Sequence, residues 1–356
     1  ATKGAALSLK SRTLLYAASE LFNNPTWAAG YSNPALISLP AGDRSARWQT
    51  AANAAKAVID LTGSGYALGS SYKNLFTSFS NVEIIFTRRN SSSNTFEIAN
   101  FPIGFDRGRS GTTPTQDLVD AYEIKLSATS SVPFDWSNPA HAAAPYAGRD
   151  PRMGFSIVVN NSSFSTVASQ TRNVQIWEGG RDGQPLPNAS KTGYYLRKYV
   201  NESVNIVNNN LAVHSWIYFR YAEILLNYAE ALNEYAPGDA NIRIYLNRVR
   251  ARSGVAMPAV PAGLSQDEMR ARIRNERRIE LAFEDHRAWD VRRWMIAPAA
   301  LGSPIRGVKI TGTTPATFVY TPQVVENRLF DPKMYLFPIS QTELSVGPGL
   351  VQNPLW

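Results

Sequence analysis

RNERRIELAFEDHRAWDVRRW, residues Arg274–Trp294, decides how this chain is read. It is dense in charge and still carries the marks of a buried segment. On a helix of about 3.6 residues per turn, Glu276, Arg277, Glu280, Glu284 and Arg287 share one narrow sector, while Ile279, Leu281, Ala282 and Phe283 take the remainder. An ion left unpaired beside such apolar flanks is costly, so these charges must pair. Arg277 with Glu280 and Glu284 with Arg287 stand at the i,i+3 spacing that permits it, and the segment predicts an ion-paired structural helix. Glu276, Glu280 and Glu284 also stand at i,i+4, a spacing open to acid/base work or metal ligation. A di-metal helix wants Glu-x-x-His, whereas His286 follows Glu280 by six residues, and the interleaved arginines repel a cation. Ion pairing is the simpler account, with no metal site and no catalytic role.

Outward from this segment the chain reads as helical hairpins. Leu7, Leu14, Leu15, Ala18 and Leu21 recur at roughly helical spacing until Asn23-Asn24-Pro25 stops the run. A loop then leads to a second helix from about Arg44 to Leu61, rich in alanine. The pattern returns at Phe219–Glu234, stopped by Pro237-Gly238, and at Asn241–Arg252, stopped by Gly254. Hairpins with alanine at close-approach positions resemble tetratricopeptide repeats, which need neighbours to bury both faces. The expected fold is mainly α, a single domain over 1–356. A tetratricopeptide-like scaffold is expected at 3–61, 217–252 and 265–294, a loop-rich α+β ligand-binding half at 62–216, and an irregular C-terminal segment at 295–356.

Within 62–216, Asn81–Arg88 and Gly193–Asn201 read as strands by their β-branched and aromatic content, and Pro114–Leu126 as a helix. Long loops in a compact protein commonly carry function. A sugar ring presents one face of C–H groups and a rim of hydroxyls, so an aromatic plane and a few polar groups hold it. Trp136, Trp177, Phe101, Phe105, Tyr146, Trp27 and Tyr31 sit among turn-forming residues, with Arg107 close by, and these are the candidate ligand-binding residues. Trp48, Trp216, Trp289, Trp294 and Trp356 lie in or beside packed elements and read as structural.

Composition narrows the remaining classes. At 356 residues, 44% hydrophobic and 18% charged, the chain can bury a sizeable core. Zero cysteines remove disulfides, thiolate metal sites and cysteine nucleophiles together. No apolar run reaches the roughly 18 residues of a membrane-spanning helix. The net charge of +8 invites nucleic acid, yet the twelve arginines between Arg243 and Arg293 are interleaved with seven acids, whereas a phosphate-tracking face keeps one sign. Ser70-Ser71-Tyr72-Lys73, Ser92-Ser93-Asn94 and Lys191-Thr192-Gly193 imitate the motifs of penicillin-recognising serine enzymes. In so serine-rich a region the imitation is thin, and only about twenty residues separate the first two motifs.

The opening segment also resembles the signature of the SusD/RagB family, nutrient-binding lipoproteins of Bacteroidetes outer membranes. Other pieces agree in the family's order: Lys3–Asn23, Ala51–Leu61, RDPR at Arg149–Arg152, TGYYLRKYV at Thr192–Val200, Phe219–Glu234, LNRVRARSGV at Leu246–Val255, and YLFPIS with LVQNPLW at the end. Asp285 stands where the family commonly has Gly, Ser340 where a second Pro is common, and Leu355 where Gly usually precedes the last Trp. The resemblance implies a non-catalytic, cofactor-free protein that captures an oligosaccharide for a SusC-like TonB-dependent outer-membrane transporter. An oligopeptide ligand is the alternative within the family, and a glycoside hydrolase with paired carboxylates the rival outside it. It also implies a cell-surface position held by a lipid anchor, with secretion signal, lipid-bearing Cys and first helices upstream of Ala1.

Overall fold

The computed structural model describes residues 2–165, 167 and 171–356. The Thr2 hydroxyl accepts the Ala5 N–H to start α1 (Lys3–Ala18), and Asp43 accepts the Ser45 N–H to start α2 (Arg44–Ile59). Ala51, Ala52, Ala54 and Ala55 of α2 are buried, and such small side chains bring helix axes close. A short α3 (Gln116–Ala121) lies in the middle stretch. The second half supplies α4 (Tyr221–Tyr235), α5 (Ala240–Arg250), α6 (Gln266–Glu280) and α7 (Arg287–Arg293). Buried from Tyr221 to Asn233, α4 is the central helix and packs on α2, α5 and α6. Leu15, Ala55, Val58, Leu225, Ala229, Leu246 and Ile273 meet in one core. The mainly α, tetratricopeptide-like frame expected from the sequence is present.

Strands are few. β1 (Ile84–Arg89) pairs antiparallel with β2 (Ser215–Arg220), and β3 (Ile305–Thr311) with β4 (Val319–Glu326). The stretch Gly193–Asn201, expected as a strand, contributes only Tyr195–Leu196, paired with Ile157–Val158. The expected helix Pro114–Leu126 is α3 alone, because the chain extends after Tyr122 and pairs at Ile124–Lys125. The 295–356 segment, expected to be irregular, holds the β3–β4 hairpin, whose Val308 and Ile310 are buried in a second core with Tyr194, Val158 and Phe101.

The opening signature departs from expectation in an instructive way. It is two helices: α6 ends at Glu280, and α7 begins at Arg287. Phe283 (φ 62°) and Asp285 (φ 61°) take the left-handed backbone between them. Asp tolerates that region, and Leu355 (φ 70°) also adopts it, so two of the positions where the family favours Gly do need this backbone. The turn carries Glu284 and Arg287 off the α6 axis, and within α6 Arg277 and Glu280 face different partners, so the expected i,i+3 pairs do not form. Glu280 instead accepts from Arg152 (2.8 Å), Arg220 (2.7 Å) and Arg252 (2.7 Å). Glu284 accepts from Lys198 (2.6 Å) and Arg220 (2.7 Å), and Arg277 reaches Asn227 (2.7 Å) and Asp290 (3.2 Å). Glu83, Asp150 and Glu276 complete the set. A buried ionic seam thereby ties the loop-rich middle to the helices.

Candidate ligand-binding site

The sequence-chosen rings divide into three groups. Phe101 and Phe105 are core residues, fully enclosed and packed edge-on against Phe164 at 5.0 Å each. They are not contact residues. Their loop looked solvated by its Gly and Arg content, but the phenyl groups fill the second core, and Arg172 stacks over Phe105 at 3.9 Å. Arg107 is exposed on that loop beside Asp106. Trp27 and Tyr31 anchor the C-terminal segment: Trp27 packs on Tyr335 (5.3 Å), and the Tyr31 hydroxyl donates to the Gln352 carbonyl (3.0 Å). Of the tryptophans read as structural, Trp48 and Trp294 are buried, whereas Trp289 and Trp356 are exposed.

Tyr146, Trp177 and Trp136 form the third group; the hairpin brings the first two together, and Trp136 joins them through Asp120. Tyr146 meets Tyr320 of β4 edge-on at 5.3 Å. Tyr320 lies 6.2 Å from Phe318, and Phe318 lies 5.3 Å from Trp177 at a shallow 33°. All four residues are half-buried. Phe318 and Tyr320 are not among the candidates read from the sequence, although β-branched Val319, Thr321, Val324 and Val325 follow a Thr-Gly-Thr-Thr-Pro turn, a weak hairpin signal.

Each part of this rim is held by identifiable bonds. The Glu178 N–H donates to the Ile310 carbonyl (2.9 Å), fixing the Trp177 turn on β3. Buried Asp182 accepts from the Gln175 N–H (2.8 Å), the Gly104 N–H (3.1 Å) and the Arg172 guanidinium (2.6 Å). Gly193 (φ 81°) lets its strand touch β3, since a Cβ there would sit 2.5 Å from the Val308 carbonyl oxygen. Beside the Trp177 turn, at Ile176 and Glu178, opens a cleft of ≈ 200 Å³ whose polar lining includes Gln184, Lys191, Gln323 and the pair Lys309–Glu178 (3.1 Å), and which none of the four rings lines.

A hydrogen-bond relay joins the two ends of the Trp136–Tyr146 loop. The Trp136 indole N–H donates to Asp120 (3.1 Å), which also accepts from the Gln116 amide (2.7 Å). The Gln116 carbonyl accepts from the Tyr194 hydroxyl (2.6 Å), which lies 3.5 Å from the Tyr146 hydroxyl. Arg306 of β3 binds Asp120 (3.2 Å) and Asp117 (2.8 Å). Burial raises the Asp120 carboxyl above its ordinary value, while its bonds to Gln116, Arg306 and Trp136 restrain the shift. Asp120 is thus a shared acceptor of ring, helix and hairpin. The sequence reading found Trp136 and Tyr146 but not the acid that couples them.

The carboxylates that suggested catalysis are otherwise engaged. Glu276 and Glu280 both bind Arg152, and Arg250 takes the second oxygen of Glu276 (3.0 Å). His214 pairs with Glu97 (2.9 Å), His141 stacks on Phe134, and His286 lies 4.0 Å from Glu223.

Fold and site define a helical-repeat protein bearing a series of half-buried rings, with a polar cleft beside it, on its loops and C-terminal hairpin. The chain belongs to the SusD family, whose model matches residues 82–356. A SusD-like protein from Bacteroides fragilis superposes with a TM-score of 0.78 at 28% identity, over 100% of this chain and 65% of its own. A SusD-like carbohydrate binding protein from the same organism gives 0.70 at 26% identity, over 98% of this chain and 71% of its own. SusD-like protein P2 of Formosa agariphila is 44% identical over 93 residues, which is 25% of this chain and 18% of that protein. The chain therefore spans about two thirds of the length of the first of these structural relatives.

Proposed function

We propose that this protein binds an oligosaccharide or polysaccharide at the cell surface without breaking it, and passes it to a SusC-like TonB-dependent transporter in the outer membrane. The observation that carries this reading is the continuous ring series Tyr146–Tyr320–Phe318–Trp177, with a polar cleft next to it at the Glu178 turn. Half-buried rings offer C–H-stacking faces, and Gln184, Gln323 and Lys191 supply donors and acceptors for hydroxyls. Trp136 extends the rim at the Tyr146 end. In this reading the ligand-binding part is 62–216 together with the β3–β4 hairpin, and the helices are the frame. No helix among the described residues is long and apolar enough to cross a membrane, which fits attachment by a lipid anchor.

The test is affinity electrophoresis and calorimetry against a glycan panel. A bound glycan should be retained without release of reducing ends. Trp177→Ala and Tyr320→Ala should each weaken binding about tenfold, or about 1–2 kcal/mol, the usual cost of truncating an aromatic anchor. Release of reducing ends would favour a hydrolase, and binding of oligopeptides alone would move the ligand to the family's peptide class.

A further inference from the structure

The seam leaves a remainder. Among the charges of Arg274–Arg293, Arg277, Glu280, Glu284, Asp290 and Arg293 are buried and paired, and Arg292 donates to backbone carbonyls. Arg274, Arg278 and Arg287 are half-buried and make no hydrogen bond or ion pair among the described residues. Arg274 and Arg278 are one turn apart on the outward side of α6, so their Cβ atoms are about 6 Å apart. Arg274 stacks on Trp294 (4.9 Å), and its acidic neighbours Glu230 and Glu234 already bind Arg293 and Arg270. Arg278 is attracted by Asp117 and Asp120, which are both engaged by Arg306. Burial, and then repulsion from Arg278, push Arg287 down to about 10 against the attraction of Asp290. None of the three guanidiniums bonds to the acids around it, each of which is held by another arginine.

Their position gives them meaning. Asp120 of α3 is the acceptor of the Trp136 indole and of Arg306, and Asn275, three residues before Arg278 on α6, donates to the Ala121 carbonyl at the end of α3 (3.0 Å), so the strip starts beside the helix that holds Trp136. We infer that Arg278, Arg287 and Arg274 continue the rim as a subsite for an oxyanion-bearing glycan, so that the ligand is a polysaccharide carrying carboxylate or sulfate groups. This rests on the glycan-binding reading above and adds the charge of the ligand to it. Guanidinium groups suit both anions, presenting planar pairs of N–H donors. A neutral glycan offers nothing to offset three adjacent cations.

The test uses matched probes: uronate oligosaccharides with their carboxyl-reduced forms, and sulfated galactan oligosaccharides with their desulfated forms. A charged probe should bind about tenfold tighter than its neutral partner, the size of one or two charge-assisted hydrogen bonds. The preference should shrink as salt rises and vanish in the combined Arg274→Gln, Arg278→Gln, Arg287→Gln variant. That variant should melt close to the parent, because it breaks no hydrogen bond or ion pair and gives up only the Arg274 stack on Trp294. The two probe pairs separate carboxylate from sulfate. Equal binding of charged and neutral probes, or a preference that survives in the triple variant, overturns this inference while leaving the glycan reading intact. Binding of no probe, charged or neutral, overturns both.

Discussion

The ionic seam around Glu280 and the rim around Tyr320 use side chains in opposite ways. In the seam, charged groups are closed off from water and satisfied by partners from five distant chain segments. In the rim, apolar rings are left half open and their polar attachments are hidden behind them. Enclosure decides the role: a charge with all its partners in place is architecture, and a ring with a free face is available to a ligand. Arg274, Arg278 and Arg287 show the same rule from the other side, being charges of the signature that the seam does not enclose.

The comparison breaks first at Glu280. This carboxylate neutralises Arg152, Arg220 and Arg252, and they hold it well below the usual carboxylate range against a large burial cost. Glu280→Ala leaves three buried guanidiniums short of an anion. Removing one partner of a buried pair costs about 3–5 kcal/mol, so denaturant unfolding should show a loss of that size or failure to fold. If Glu280→Ala unfolds at the parent's midpoint, the seam is not what joins the two parts of the molecule.

A smaller effect is expected at His286, which lies at the edge of the seam. Burial outweighs the attraction of Glu223 and lowers its imidazolium from the ordinary 6.5 to about 4. The unfolded chain therefore binds this proton more strongly than the folded one. Stability from this group is complete above pH 6.5 and is eroded as pH falls to 4, by on the order of 3 kcal/mol in total. Burial acts against the seam's acids too, but the cations win: Arg220 and Lys198 hold Glu284 at about 2, so its contribution is lost only between 4.5 and 2. The wild-type stability curve should thus fall in two stages on acidification. His286→Gln should abolish the upper stage and keep the lower, as read by urea midpoints across that range.

How much of this was legible follows from the range of the forces involved. The helical hairpins were readable because their signals are local: leucine spacing, alanine at close approach, Pro237-Gly238 and Gly254 as stops. That the signature charges must pair was also readable. With whom was not, since Arg152, Arg220 and Arg252 reach Glu280 only through the tertiary fold. The error over Phe101 and Phe105 has the same origin, for a loop rich in Gly and Arg gives no sign of which of its rings turn inward. Trp136, Tyr146 and Trp177 stand out as candidates by their turn-rich surroundings, whereas the hairpin that assembles two of them does not stand out. Its alternation is interrupted by Pro322 and both strands are partly exposed, so its hydrophobic contrast is weak. Asp120 carried no signal of its own, being one acid in a short helix.

Asp120 is where the comparison can be sharpened most finely, because a seam-like bond there serves a rim residue. It does not face the cleft; it holds Trp136 to α3 and, through Arg306, to β3. Asp120→Asn keeps the shape and one acceptor but gives up the charge that binds Arg306. Glycan affinity should fall only about threefold, within the range of one weakened hydrogen bond, with little change in melting temperature. The diagnostic readout is pH. With its carboxyl raised by burial, the parent should lose affinity on mild acidification as Asp120 gains a proton and its hold on Arg306 weakens. The asparagine variant, weaker throughout, should show no such dependence. A variant that binds as the parent does at every pH would mean that Trp136 is set by its packing on Phe134 alone (5.1 Å, 82°) and that the relay is a feature of the frame.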